Sequence, residues 1–245
     1  MSTRAPRRGG ASSGAKRTAT AAGPASARAE ARVTDPGANV AELALQLFLE
    51  HGYDATPMSA IAKQAGLTKA GVYHHFESKE HLLFVVHRRH LEELLLPLID
   101  SATKLPDPEE RLRRFLYDYA LLMTRDASHR LLITETKRLA PEHAEVIRNA
   151  WRRGLYLVRD AVVELQRCGA ARPGIEPTYA AFAAIGMCSW IFNWFDYRRR
   201  ENGPDVARAM VELFLGGLLQ PMNPAATAAP AGRRPRKVAG RNSPG

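Results

Sequence analysis

The chain has 245 residues, 45% hydrophobic and 24% charged, with a net charge of +10 at neutral pH, enough for one small and one larger domain with a real core. No apolar run reaches the roughly 18 residues of a membrane helix, and the alanine-rich start lacks the apolar run of a signal peptide, so a cytoplasmic protein without membrane contact is expected. Cys168 and Cys188 are the only cysteines and have no neighbours at metal-ligand spacing, which points to two reduced, partly buried thiols and excludes a disulfide scaffold.

In chain order, residues 1–37 hold seven basic residues against Glu30 and Asp35 in a background of Ala, Gly, Pro and Ser. Such a segment cannot bury enough apolar surface to offset its ordering entropy and is expected to be a disordered basic tail. Residues 38–84 follow as a small helical domain. Ala41, Ala44, Leu45, Phe48 and Leu49 recur at helical spacing up to Gly52, which suits a helix terminus. Thr56-Pro57 reads as a cap with proline at the first helical position, followed by Met58, Ile61, Ala62 and Ala65 and a second terminator, Gly66. Thr68 reads as the cap of a short third helix through Val72, Tyr73 and Phe76, and Ser78 starts a long fourth. Two short helices joined through Gly66-Leu67 form a helix-turn-helix.

Residues 85–221 read as helices throughout, with no convincing strand. The fourth helix is expected to run from Lys79 past Leu91 and Leu95 to a kink or stop at Pro97. Further helices are expected from Glu109 behind Asp107-Pro108, from about Ser128 to Leu139, from Pro141 to around Gly169, from Pro177 to Trp194 and Phe195, and from Gly203-Pro204 to Leu219. Residues 222–245 are a second expected disordered tail with five basic residues and no acids. The charge therefore sits in the tails, and residues 38–221 are formally neutral. Basic tails beside a DNA reader can neutralise phosphates without reading sequence.

Val72 and Phe76 are four residues apart and should pack inward on Ile61, Ala62 and Leu45. That leaves Lys69, Ala70, Gly71, Tyr73, His74 and His75 on the outer face of the third helix. Lys69 and Tyr73 can donate to base edges or phosphates, and Ala70 and Gly71 let the backbone come close to a major groove. Lys79 lies in the first turn of the next helix, where backbone amides favour a phosphate oxygen. Thr56, at the start of the second helix, is grouped with these DNA-facing residues.

The stretch LFLEHGYDATPMSAIAKQAGLTKAGVYHHFESKEHLL resembles the N-terminal region of the tetracycline-repressor-like (TetR/AcrR) transcriptional regulators. The likeness rests on Gly52-Tyr53, Ile61-Ala62, Ala65-Gly66-Leu67 and Tyr73-His74-His75-Phe76 in their usual order. The resemblance implies that Lys69, Ala70, Gly71 and Tyr73 face bases and that His74, His75 and Lys79 touch phosphates. Pro57 departs from the family's usual hydroxylated residue, and Gly71 costs its helix about 1 kcal/mol relative to alanine. The implied architecture is all-α: an N-terminal three-helix helix-turn-helix domain, then a helical ligand-binding and dimerisation domain. Its last two helices, residues 177–195 and 204–219, would form a four-helix interface with a second copy. Ala180, Ala181, Ala183, Ala184 and Gly186 allow close approach there, and Met210, Phe214 and Leu218 supply an apolar stripe. A homodimer reading a palindromic operator in double-stranded DNA follows.

A ligand pocket is expected among Tyr117, Tyr119, Arg138, Trp151, Trp190, Asn193 and Trp194, aromatic or polar residues on otherwise apolar helices. The segment Glu135 to Glu142 and the block Trp190 to Phe195 are similar to family members that govern lipid, sterol or aromatic-acid breakdown and respond to acyl-CoA thioesters. That resemblance implies a repressor released by a small apolar effector, an acyl-CoA thioester with Arg138 near its phosphates. An inducer-independent architectural DNA-binding protein is the alternative that the basic tails leave open. Six of the eight histidines lie between residues 51 and 90. His74 and His75 point about 100° apart on a helix, and His87 and His90 belong to another, so no three-ligand metal site forms. With no nucleophile motif, phosphate loop or dinucleotide fingerprint, neither an enzyme nor a cofactor is expected.

Overall fold

The computed structural model describes residues 36–220; the expectations for the two basic tails lie outside them. The reading head consists of α1 (Pro36–His51), α2 (Met58–Gln64), α3 (Lys69–His75) and the first part of α4 (Lys79–His90). Gly52 and Gly66 adopt φ of 84° and 67°, the left-handed values that let α1 and α2 stop without a Cβ penalty. Thr68 and Ser78 are caps as expected, their hydroxyls accepting from the amides of Gly71 at 3.0 Å and His81 at 2.9 Å. Val40, Ala44, Phe48, Ile61, Val72, Phe76, Leu82 and Leu83 close the head's core, which holds the two short helices in place where their own length could not.

Thr56 departs from expectation. It is buried, and its hydroxyl donates to the carbonyls of Gly52 at 2.8 Å and Leu47 at 3.2 Å. It therefore satisfies the open end of α1 instead of capping α2, whose N-cap position is Pro57 without a side-chain bond. A partly buried carbonyl at the end of α1 is thereby given a donor, while the exposed amides that open α2 are left to solvent.

The fourth helix does not stop at Pro97, but regular α winding is interrupted just before it. It widens into a π-turn at Leu91–Leu95 and resumes as α5 (Leu96–Thr103), with Pro97 in its first turn. A new α segment starting there has no use for the missing proline N–H, so the ring is tolerated. The body continues with α6 (Pro108–Met123), α7 (Ser128–Glu135), a 3-10 turn (Thr136–Arg138), α8 (Pro141–Arg167), α9 (Pro177–Ser189), the short α10 (Ile191–Trp194) and α11 (Gly203–Leu218). Asp107 and Glu176 cap α6 and α9 through their carboxylates, and Gly169, at φ 76°, ends α8. The helix expected from 177 to 195 breaks at Trp190.

Central α6 packs against α5, α8, α9 and α11, and α9 lies along α8. Its buried side, Leu112, Phe115, Leu116, Tyr119 and Met123, is the axis of the body core. Gly154 lets α8 approach closely, since a Cβ there would lie 3.1 Å from the Phe115 ring. The head meets the body where α1 touches α7 and α4 touches α8, and one continuous apolar cluster runs through both. Among the described residues, the sole strand-like feature is a bridge between Ala171 and Leu219. No helix among them is long and apolar enough to cross a membrane.

Candidate DNA-binding face and effector cavity

On α3 only Val72 is buried, and Lys69, Ala70, Tyr73, His74 and His75 are exposed together. Lys69 Nζ stands 5.8 Å from the centre of the Tyr73 ring, an i,i+4 pair that keeps both on one face. Gly71 is half-buried against the cap, where an added Cβ would lie 3.3 Å from Thr68 Oγ1. The small residues thus bring the helix axis close to whatever the face meets, between a cation and a phenol on one side and two imidazoles on the other.

Lys79 is more engaged than the sequence suggests. Its ammonium donates to the Asp54 carbonyl at 3.3 Å and lies 4.4 Å from the centre of the Tyr53 ring. Partial burial lowers its pKa, opposed by the nearby Asp54 charge. Arg138 approaches the same ring at 5.4 Å and pairs with the carboxylates of Asp54 and Glu135. Beside this knot, Glu80 accepts from the Ala140 amide and from His143 Nδ1, both at 2.9 Å. The His143 ring stacks on Phe84 with centroids 4.0 Å apart. Arg138 is therefore a tie between head and body and is not among the residues lining the body cavity, a correction to its expected role. The signal was available in its neighbours, because a cation flanked by Glu135 is already half neutralised.

The body holds a cavity of about 500 Å³ lined by Ile133, Thr136, Arg148, Trp151, Arg152, Leu155, Phe182, Ile185 and Ser189, a volume that suits a drug-sized ligand, for which pockets span roughly 300–1,000 Å³. Its wall is mostly apolar. Arg148 and Arg152, both paired with Glu145, put two cations at the edge. Of the seven expected ligand residues, only Trp151 lines this cavity. Tyr119 lies beneath it, fully buried, its hydroxyl 2.7 Å from Ser189 Oγ and its ring 6.0 Å from that of Trp151. Burial raises the Tyr119 pKa, so the phenol stays protonated. Tyr117 instead faces a separate groove with Arg113, Arg114 and Arg208. Trp190, Asn193 and Trp194 are exposed, continuing at helical spacing the outward face of Phe182, Ala183 and Gly186 while Ala184, Cys188, Ile191 and Phe195 turn inward. Arg148, Arg152, Phe182 and Ile185 carry no sequence signal of this role, because charged and aliphatic residues at helical spacing look like any amphipathic surface.

A second, small void of about 10 Å³ lies next to the first and shares Ile133 and Trp151 with it. His87, His90 and His129 contribute to its lining, with His90 Nε2 2.9 Å from His129 Nε2. Burial, aided by the neighbouring His90, pushes the pKa of both His87 and His129 down to about 3. No group of three or more His, Cys, Asp or Glu among the described residues could hold a metal ion.

Residues 41–86 match the sequence model for bacterial regulatory proteins of the tetR family, and residues 106–218 match the tetracyclin repressor-like C-terminal domain. The chain is 26% identical over 180 residues to the HTH-type transcriptional activator FasR of Mycolicibacterium smegmatis, covering 71% of this chain and 79% of that protein. It is 28% identical over 187 residues to the repressor KstR2 of the same organism, covering 73% and 88%. The crystal structure of AibR in complex with isovaleryl coenzyme A and operator DNA superposes with a TM-score of 0.65 at 29% identity, covering 73% of this chain and 97% of that one. With a helix-turn-helix head, an all-helical body and family matches to both, the chain belongs to the tetR family of DNA-binding regulators and is not an enzyme.

Proposed function

We propose that this regulator is a homodimeric repressor, released from a palindromic operator by an acyl-CoA thioester bound in the cavity between α7, α8 and α9. The observation that carries the ligand class is that cavity: an apolar wall of Trp151, Leu155, Phe182 and Ile185 with Arg148 and Arg152 at its edge. An acyl chain suits the wall and a phosphorylated carrier suits the cations. The likeness to AibR, whose structure holds isovaleryl coenzyme A, supports the same class. Arg148 and Arg152 replace Arg138 as the residues nearest the phosphates.

Dimerisation places two α3 helices at the separation of successive major grooves, about 34 Å. The ligand favours a body conformation that spoils this spacing, and full release requires that it prefer that state by several kcal/mol. The test is a titration of the operator-bound protein, on fragments it selects from its own genome, with acyl-CoA thioesters and the matching free acids. Tryptophan fluorescence and DNA release are followed together. Thioesters should release the DNA, and operator should weaken thioester binding by the same factor. Release by a free acid but by no thioester would sink the CoA reading.

A further inference from the structure

Helix α8 opens without a cap of its own. Its N-cap residue is Ala140, which makes no side-chain cap, and Pro141 follows, so the Ala140 amide needs an acceptor from elsewhere. The reading head supplies it. One carboxylate oxygen of Glu80, in the first turn of α4, accepts from the Ala140 amide and from Nδ1 of His143, each at 2.9 Å, and the other oxygen lies 3.2 Å from Nδ1. In an ordinary capping box the acid three residues past the cap reaches back to the cap amide. Here an acid on another helix does so and also binds the residue at that third position. The carboxylate meets the positive end of the α8 dipole as well. Glu80 and His143 are only 26% and 25% exposed, and the His143 ring lies within 7° of parallel to Phe84 of α4, so α4 grips the whole first turn of α8.

The same stretch of helix lines the cavity. α8 runs unbroken from Pro141 to Arg167, and Arg148, Trp151 and Arg152 stand in the cavity wall, roughly 8–14 Å along the axis from His143. At Gly154 the helix is pinned against the body core, where a Cβ would lie 3.1 Å from the Phe115 ring. Gly154 is six residues past Arg148 and eleven past His143, so a stiff arm pivoting there moves roughly twice as far at His143 as at Arg148. A shift of about half an ångström at the wall then becomes about 1 Å at the cap, enough to carry a hydrogen bond beyond its range of about 2.7–3.2 Å. We propose that this cap supplied by the head is the contact through which an occupied cavity reaches the reading helix. Glu80 and His143 are positioning residues: they hold α4, and with it Lys79, in the operator-binding setting while the α8 arm stays in place, and they let go when a ligand displaces the arm. Given the effector reading of the cavity, on which this depends, the ligand has only to move one wall, and the core of the head stays as it is.

Operator affinity is measured with and without saturating isovaleryl-CoA or octanoyl-CoA for the full chain and its Glu80→Ala, Glu80→Gln and His143→Phe variants, and thioester affinity is measured on the DNA-free proteins. Glu80→Ala should bind thioester within about twofold of the parent, while the factor by which thioester weakens operator binding falls by about tenfold. Glu80→Gln keeps an oxygen for the Ala140 amide and should keep most of that factor. A contact that only stabilised the fold would lower the melting temperature and leave the factor alone. If Glu80→Ala does not fold, His143→Phe, which keeps the stack on Phe84 and drops the Nδ1 bond, should still lower the factor by about threefold. A ligand-free arm uses Ile185→Trp, which drives an indole into the cavity from α9. It should cost operator affinity about fivefold in the parent and less than about twofold in the Glu80→Ala background. Equal release of parent and Glu80→Ala protein by thioester, equal losses from Ile185→Trp in both backgrounds, or no loss from Ile185→Trp in the parent overturns the proposal. If no thioester releases the parent while the Ile185→Trp loss still depends on Glu80, the effector class is wrong and the contact stands.

Discussion

A single hydroxyl shows how the head spends its polar groups. Thr56→Val keeps the shape but leaves the carbonyls of Leu47 and Gly52 without their donor, so urea unfolding should report a loss of about 1–2 kcal/mol. The salt dependence of DNA binding should not move, because a buried hydroxyl touches no phosphate. Lys69 and Tyr73 behave in the opposite way. Being exposed, they contribute little to stability, and Lys69→Ala or Tyr73→Ala should weaken operator binding by about 1–3 kcal/mol in a mobility-shift titration and relax sequence preference. The buried histidines give a pH signature. Their folded pKa of about 3 lies below the ordinary 6.5, so the unfolded chain binds more protons on acidification. Stability is complete above about pH 6.5 and declines as pH falls from there towards about 3. Thermal unfolding between pH 8 and 5 should show that decline, and His129→Phe should flatten it; an unchanged profile would mean that His129 is solvated. The outward residues of α3 were legible in the sequence, since one turn of helix with Val72 and Phe76 inward leaves the rest no choice. Thr56 was not, because its backbone partners belong to the preceding helix and Thr-Pro also satisfies the pattern of a cap.

Between elements, the tie around Tyr53 sets how firmly the head is held. Arg138 joins the 3-10 turn before α8 to the loop after α1, and Lys79 shares the same ring from α4. The partners are exposed, so solvent screening leaves the pairing little weight in overall stability. Arg138→Ala should therefore leave thermal unfolding nearly unchanged while lowering operator affinity several-fold, because the head samples more orientations before docking. Calorimetry and operator titration on one preparation check both halves, and an unchanged operator affinity would reduce the tie to surface decoration. Helix positions were legible wherever a glycine or proline punctuated them: Gly52, Gly66, Pro108, Pro141, Gly169 and Pro177 all stand within a residue or two of an observed end. Pro97, two residues beyond Leu95, marks the π-turn in the same way, whereas the interruption at Trp190 carries no such mark. Which helix faces meet around the cavity is set by packing between distant helices, which local spacing does not encode, so the sequence pattern does not single out its walls.

For the whole molecule the decisive surface is formed by α9 and α11. Tyr179, Phe182, Ala183, Gly186 and Trp190 stay exposed along one side of α9, and Leu213 on α11 is 67% exposed, an apolar stripe that a second copy would cover. Leu213→Glu should give monomers in analytical ultracentrifugation at micromolar concentration, with operator binding falling far more than binding to random duplex; a dimer that persists would move the interface elsewhere. Of the small residues expected here, Ala183 and Gly186 face outward, whereas Ala180, Ala181 and Ala184, with Leu218 on α11, are buried in the protomer's own core. Trp190 reads equally well as a pocket residue, since burial against a partner and burial around a ligand ask for the same side chains. The π-turn at Leu91–Leu95 has its consequence at this scale too. His87, Leu91, Leu95 and Ile99 are all buried at steps of four residues, and in an unbroken α-helix each such step would drift by about 40°. The wider turn absorbs part of that drift, so one seam of side chains can face the head at its start and the body at its end. An in-frame loss of a single residue from this turn would let the helix close to regular winding at the expense of phase. Head and body would each remain foldable, but they would be rotated relative to one another like gears meshed one tooth out of place.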